Sequence, residues 1–196
     1  MHPYSIDIEE RKYILLCLAI VSIVLSWGFY GIFSIYKITL PWWVETPSVL
    51  FFYGLLFFLF NKWVWKLFNN IGLVKTPNLN GEWAGFLRSS FDEHSSQMKA
   101  TLKIFQTWTR IRILLTTEHS SSQSETASII ISAPEGKYLS YQYINEPRSN
   151  SVKTMSIHRG TTRLLFNEKE ETFDGEYYSG RDRQNFGSLR FKSKTK

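Results

Sequence analysis

"PNLNGEWAGFLRSS", residues 77–90, follows directly on a stretch suited to lipid. Pro77, Asn78 and Asn80 are turn formers, and Gly81 opens a run that alternates like a strand. Beyond residue 80 no long helical periodicity returns. Short apolar or alternating runs are instead separated by turn clusters such as "APEGK", "NEKEE" and "GRDRQN". The pattern predicts strands at "GEWAGFLRS", "QMKATLKIF", "TRIRILLTT", "TASIIIS", "KYLSYQYIN", "GTTRLLFN", "TFDGEYYS" and "FGSLRFKS". Most are joined by short hairpins. "NEPRSNSVKTMSIHR" is a longer crossing with room for a helical turn. Eight antiparallel strands can close into a barrel and remove exposed edges, with space inside for side chains or one small ligand. Strand count alone leaves a two-sheet sandwich open. Trp83 in "GEWAG" reads as the residue that closes one end of a lipocalin-like barrel by packing.

The first third of the chain is of another kind. Tyr13 to Tyr36 contains no charged residue and exceeds the ~20 residues that cross a hydrocarbon core. Its apolar centre is too long for a cleaved signal peptide. Ser48 to Phe68 is the second candidate span, with Lys62 and Lys66 towards its end, where long cationic side chains reach the headgroups. Trp63 and Trp65 suit that interface, and Trp42 and Trp43 the opposite one. The chain therefore divides into a two-transmembrane helical region, 1–75 with spans at about 13–36 and 48–68, and a β domain, 76–196. The expected fold is all-β, an eight-stranded antiparallel lipocalin-like barrel preceded by a transmembrane helical hairpin. Arg11, Lys12, Lys62, Lys66 and Lys75 flank the spans, whereas the connecting loop has only Lys37. The positive-inside rule then places both termini in the cytoplasm.

Residues 76–196 carry seventeen Lys/Arg against thirteen Asp/Glu, a mildly basic balance. That favours a small anionic ligand or a membrane surface over a DNA or RNA polymer. The single cysteine, Cys17, lies in the first span, so no internal disulfide forms. The four histidines have no metal-ligand spacing, and neither a phosphate loop nor GxSxG occurs. Glu168, Glu170 and Glu171 read as a solvated turn. No enzymatic activity and no cofactor are expected.

A binding pattern is more visible. Alternation puts Arg110 and Arg112 on one face of their strand and Ile111, Ile113 and Leu115 on the other. Tyr141 and Tyr143 share a face with Leu139. Tyr177, Tyr178, Arg181 and Arg183 cluster at the last hairpin, and Arg163 lies on the strand before it. Arginine pairs with phosphate through two parallel hydrogen bonds, and aromatic rings stack on bases. Together these nine residues are the candidate ligand-binding set for a nucleotide.

The two spans, the P-x-L-x-G-x-W pattern at Pro77, Leu79, Gly81 and Trp83, "HRGTTRLL" at 158–165 and "DGEYYSGRDRQNFGSLRF" at 174–191 occur in this order. The arrangement resembles the two-transmembrane β-barrel effectors of bacterial CBASS anti-phage defence, and the likeness covers nearly the whole chain. It implies a cytoplasmic barrel that senses a cyclic dinucleotide made by a cognate cGAS/DncV-like nucleotidyltransferase (CD-NTase). It further implies a homo-oligomer formed on activation, a bilayer partner, and inner-membrane disruption that kills the infected cell. A rival reading is a membrane-anchored lipocalin-like carrier or scaffold. It differs in chemistry, because an apolar ligand needs a dry lumen and a dinucleotide needs polar and cationic groups.

Overall fold

Alternating side chains decide which surface of each strand turns inward, and the chain follows that alternation closely. The computed structural model describes residues 1–36, 42–149, 151–152, 155–180 and 184–194, without the side chains of 34 and 42–47. It forms two compact units, residues 1–7 with 76–196, and residues 8–75. Arg181, Arg183 and the loop holding Lys37 lie outside the described residues, as do the side chains of Trp42 and Trp43.

The first unit opens with two short strands, β1 (His2–Pro3) and β2 (Ser5–Ile6). After the helices come β3 (Gly81–Ser89), β4 (Met98–Gln106), β5 (Arg110–Thr117), β6 (Ser120–Ile130), β7 (Lys137–Pro147), β8 (His158–Asn167), β9 (Thr172–Ser179) and β10 (Phe186–Ser193). Each of these eight pairs antiparallel with its neighbours in sequence, and β10 returns to β3, Leu189 opposite Leu87. The barrel is therefore closed, and the sandwich alternative is excluded. Its eight strands match the eight expected runs. The main difference is β6, which starts at Ser120 rather than Thr126. Inward positions carry the core: Leu102, Ile104, Ile111, Ile113, Ile129, Leu139, Leu164, Phe173, Leu189 and Phe191.

One end of the barrel is a hydrogen-bonded floor, and the turn-rich lead-in to β3 builds it. Leu79 is buried, and its amide donates to Gln106 Oε1 at 2.8 Å. Gln106 Nε2 donates to the Pro77 carbonyl at 3.1 Å, and the Gln106 amide donates to Asn80 Oδ1 at 2.7 Å. Trp83 donates its indole N–H to the Leu79 carbonyl at 3.3 Å and packs edge-on against Phe173, 4.6 Å between ring centres. Every polar group of the lead-in that enters the core thus has a partner, as burial requires. The chain starts its β structure directly after residue 76 because those residues are the barrel's floor. Trp83→Ala removes a buried indole whose space neighbouring rings cannot refill. It should cost about 3–5 kcal/mol, read as a lowered midpoint in thermal or urea unfolding. A loss below about 1 kcal/mol would show that the ring is not a core element.

The second unit contains α1 (Glu10–Ile35), α2 (Trp42–Leu59), a π-helical turn at Phe60–Val64 and α3 (Trp65–Asn70). Two segments, Glu10–Phe33 and Ser48–Asn70, are long and apolar enough to cross a membrane. α1 and α2 pack through a hydrogen bond between Ser26 Oγ and Ser48 Oγ at 2.6 Å and an edge-to-face pair, Phe29 on Phe52. Lys62 sits 4.5 Å over the Trp63 ring. Leu16, Ile20, Ile23, Trp27, Ile32, Leu50, Phe51 and Phe58 remain exposed along the helices. A soluble surface does not present so much contiguous apolar area, and lipid does accept it.

Candidate functional site

At the end of the barrel opposite Trp83, the strands enclose an open cavity of about 380 Å³. The volume lies in the range of small-molecule sites. Its wall draws on nearly every strand. Leu87 and Met98 come from β3 and β4, Leu115 and Thr117 from β5, and Ser120 and Ser122 from β6. Tyr143 and Asn145 come from β7, His158 and Thr162 from β8, and Tyr177 and Ser179 from β9. His119, Met155 and the short 3₁₀ turn Ser90–Asp92 border it from the loops.

The wall mixes apolar and polar groups, and simple strand alternation explains the polar ones. In "HSSSQSET" the buried positions are Ser120, Ser122 and Ser124, while Ser121, Gln123 and Glu125 face outward. Hydroxyls thus occupy places that an apolar core would give to valine or leucine. Some wall groups are held in place by local bonds. Thr117 Oγ1 accepts from the His119 and Ser120 amides at 3.3 and 3.1 Å. His119 Nδ1 bonds Ser151 Oγ at 3.2 Å. His158 Nδ1 donates to the Ser156 carbonyl at 2.9 Å, which fixes the proton on that nitrogen and leaves Nε2 as the second polar atom of the ring. Thr162 is 1% exposed, and its hydroxyl has no hydrogen-bond partner among the described residues. A buried hydroxyl of this kind is a ready contact for a polar ligand atom. Tyr141 lies opposite Thr162 in the β7–β8 ladder, with its own hydroxyl similarly unpaired. Burial raises the Tyr141 pKa, and the nearness of Thr162 works against that rise. At the rim the Asp92 carboxylate accepts from the Ser96 amide and hydroxyl, and the hydroxyl bond leads in holding its pKa below the usual range.

Gly160 explains the glycine of "HRGTT". It is paired with Tyr143, and a Cβ there would come within 2.3 Å of the Tyr143 hydroxyl. The missing side chain is what lets the ring lie flat against the opposite strand.

Of the nine residues expected to bind ligand, seven are described, and they separate into three groups. Tyr143 and Tyr177 line the cavity. Tyr141 is buried in the core beside them. Arg110, Arg112, Arg163 and Tyr178 occupy exposed positions outside the barrel. Arg112 donates to Gln123 Oε1 at 2.6 Å, and Arg163 lies 4.2 Å over the Tyr138 ring. Tyr178 donates to Glu176, a bond that raises the phenol's pKa. Arg181 and Arg183 are outside the described residues, but the flanking Ser179 and Asn185 both line the cavity mouth. Among the described residues no lysine or arginine lines the cavity. The serines, the two histidines, Asn145 and Thr162 were not singled out from the sequence, although the alternating serines of 120–124 carried a readable signal.

Comparison with known proteins finds two family models on this chain. Residues 74–193 match the family model for the Cap15 cyclic dinucleotide receptor domain, and residues 12–66 match that for the Cap15 TM helices. A protein of Yersinia aleksiciae named CD-NTase-associated protein 15 is 33% identical over 132 residues, which cover 66% of this chain and 62% of that protein. A protein of the same name from Staphylococcus schleiferi is 37% identical over 131 residues, covering 66% of this chain and 67% of its own length. The aligned stretch is thus under two thirds of the Yersinia protein. Both parts of the chain match in order, and the chain belongs to the Cap15 family, the two-transmembrane β-barrel type that its sequence resembles.

Proposed function

We propose that the barrel binds a cyclic dinucleotide in the cavity between Tyr143 and Tyr177, and that binding drives self-assembly and membrane disruption as a CBASS effector. The observation that carries this reading is a cavity whose wall sets hydroxyl, imidazole and amide groups among apolar side chains, in a domain that matches a cyclic dinucleotide receptor. Two aromatic rings offer stacking faces for bases. Hydroxyl, imidazole and amide groups offer hydrogen bonds to phosphate, ribose and base edges. Arg181 and Arg183, which fall between Ser179 and Asn185 in the sequence, are the candidates for the cationic charge that the described wall lacks. The rival carrier reading requires a dry lumen, and the serines, His119, His158 and Asn145 in the wall count against it. The protein acts by binding, with no catalytic step.

The test is calorimetric titration of the full chain in detergent with a panel of cyclic dinucleotides, a linear dinucleotide and a fatty acid. Saturable binding of one cyclic dinucleotide, absent for its linear counterpart, is the expected result. Binding of the fatty acid alone would establish the carrier instead.

In this reading both termini lie on the cytoplasmic side of the inner membrane, where such a messenger would reach the barrel, and the lysines and arginines that flank the spans support that orientation. Reporter fusions after residue 75 and within the 37–47 loop should give cytoplasmic and periplasmic signals respectively. A periplasmic signal from the fusion after residue 75 would overturn this orientation.

A further inference from the structure

The barrel wall has one weak junction, and the chain's first residues lie in it. β5 and β6 pair over only three positions, Leu114–Thr116 against Ser121–Gln123, whereas β4 and β5 pair over seven. Towards the floor the two strands part. The open edge of β5 takes β1, with His2 opposite Ile111 and Pro3 opposite Arg110. The open edge of β6 takes β2 in parallel, with Ser5 opposite Ser128 and Ile6 opposite Ile129. Ser124 stands at the fork, just before a register shift, and its Oγ accepts the Ile113 amide at 3.0 Å and bonds His2 Nε2 at 2.7 Å.

The filler is anchored along its length. Tyr4 is buried in the core, and its hydroxyl donates to the Trp108 carbonyl at 2.8 Å while accepting from Gln106 Nε2 at 3.3 Å. Asp7 accepts from the Ile131 and Ser132 amides at 2.8 and 2.9 Å, and from the Ser132 hydroxyl. Without these residues, two strand edges and a core position would open to solvent, which a barrel otherwise avoids.

We propose that the gap between β5 and β6 is a strand-acceptor site, filled by residues 2–7 of the same chain, and that it ties α1 to the cavity wall. Extended segments that add to open sheet edges bind through main-chain bonds, with alternate side chains giving specificity. Here the anchors are His2, Tyr4 and Asp7. α1 begins at Glu10, three residues after Asp7. At the other end of the junction, Leu115 and Ser122 belong to the short β5–β6 pairing and also line the cavity. A ligand pressing on those two residues acts on the fork that holds His2. The groove stands on geometry alone, while its link to signalling rests on the receptor reading above.

Amide hydrogen exchange on the full chain in detergent tests the groove without any ligand. Asp7→Ala should speed exchange at Ile131 and Ser132 about tenfold or more, the equivalent of one lost charge-assisted hydrogen bond, and leave β8 and β9 unchanged. Deleting residues 2–7 should add faster exchange at Ile113, and a synthetic peptide of residues 1–7 should restore protection. If the deletion unfolds the barrel, Asp7→Ala, at an exposed position, still decides. Unchanged exchange in Asp7→Ala would overturn the site. Protection lost on dilution would assign the groove to a neighbouring copy and overturn self-occupancy. For the tie, a flexible Gly-Ser insertion between Asp7 and Ile8 should leave ligand affinity intact but raise about tenfold the ligand concentration needed for assembly. Equal potency would remove the mechanical part and leave the groove. A parent protein that binds no cyclic dinucleotide is a failure of the receptor reading, and the titration detects it before any insertion is made.

Discussion

Replacing residues 8–75 with an unrelated two-span hairpin of the same length should leave ligand affinity within roughly twofold of the parent and abolish killing. The exchange keeps residues 1–7 and 76–196, so the barrel, its floor and its N-terminal filler remain whole. It also keeps an anchor. What it removes is the particular packing surface of the helices: the Ser26–Ser48 bond, the Phe29–Phe52 pair and the outward rows around Leu16, Ile20 and Phe51. Helix association in lipid depends on close packing and interhelical hydrogen bonds, because the surrounding tails are as apolar as the side chains. A generic hairpin therefore holds the sensor at the membrane without reproducing an ordered assembly. Titration in detergent and a membrane-potential dye in cells producing the messenger measure the two halves. A chimera that depolarises cells as fully as the parent would reduce the native spans to anchors, and the membrane-disruption reading would fail.

Arg181→Ala and Arg183→Ala should each weaken cyclic dinucleotide binding about ten- to a hundred-fold, because a phosphate–arginine contact contributes roughly 1.5–3 kcal/mol. Gly160→Ala should weaken it too, because the added Cβ meets both the Tyr143 ring and the Tyr178 carbonyl and so displaces the cavity wall. Arg163→Ala is the informative comparison, since that guanidinium lies on Tyr138 outside the barrel and should leave affinity unchanged. Calorimetry on the folded variants orders the series. If Arg163→Ala were the damaging change and Gly160→Ala silent, the ligand would sit on the outer face and the cavity assignment would be wrong.

The barrel is legible because most of its strands alternate with a period of two, and its floor because turn formers stand directly before β3 and a tryptophan near its start. The site was legible only in part. Tyr177 and Tyr178 are consecutive in one strand, so only one of them can face inward, and the structure gives that place to Tyr177. Arg110 and Arg112 were correctly separated from the apolar face of β5, but that same separation points them to solvent. The first half of β6 lies outside the expected strand because serine fills its inward positions, and apolar alternation does not register hydroxyls. β1 and β2 have two residues each, too short to show any period. Their pairing spans more than a hundred residues of chain, a contact that local patterns do not encode.

That separation has a consequence for synthesis. Translation delivers residues 2–7 and both helices before any of β5 or β6 exists. α1 and α2 are then already available to the membrane while their attached filler has nowhere to dock. β3 must likewise wait for β10, the last strand made. Contacts this distant in sequence form late and slowly, after loop closure over most of the chain. Under the proposed function, a nascent or truncated copy holds its spans in the bilayer with no closed cavity to receive the messenger. The order in which the ribosome releases the strands would then act as a safety interval: an effector that harms its own cell would become addressable only once β10 is in place.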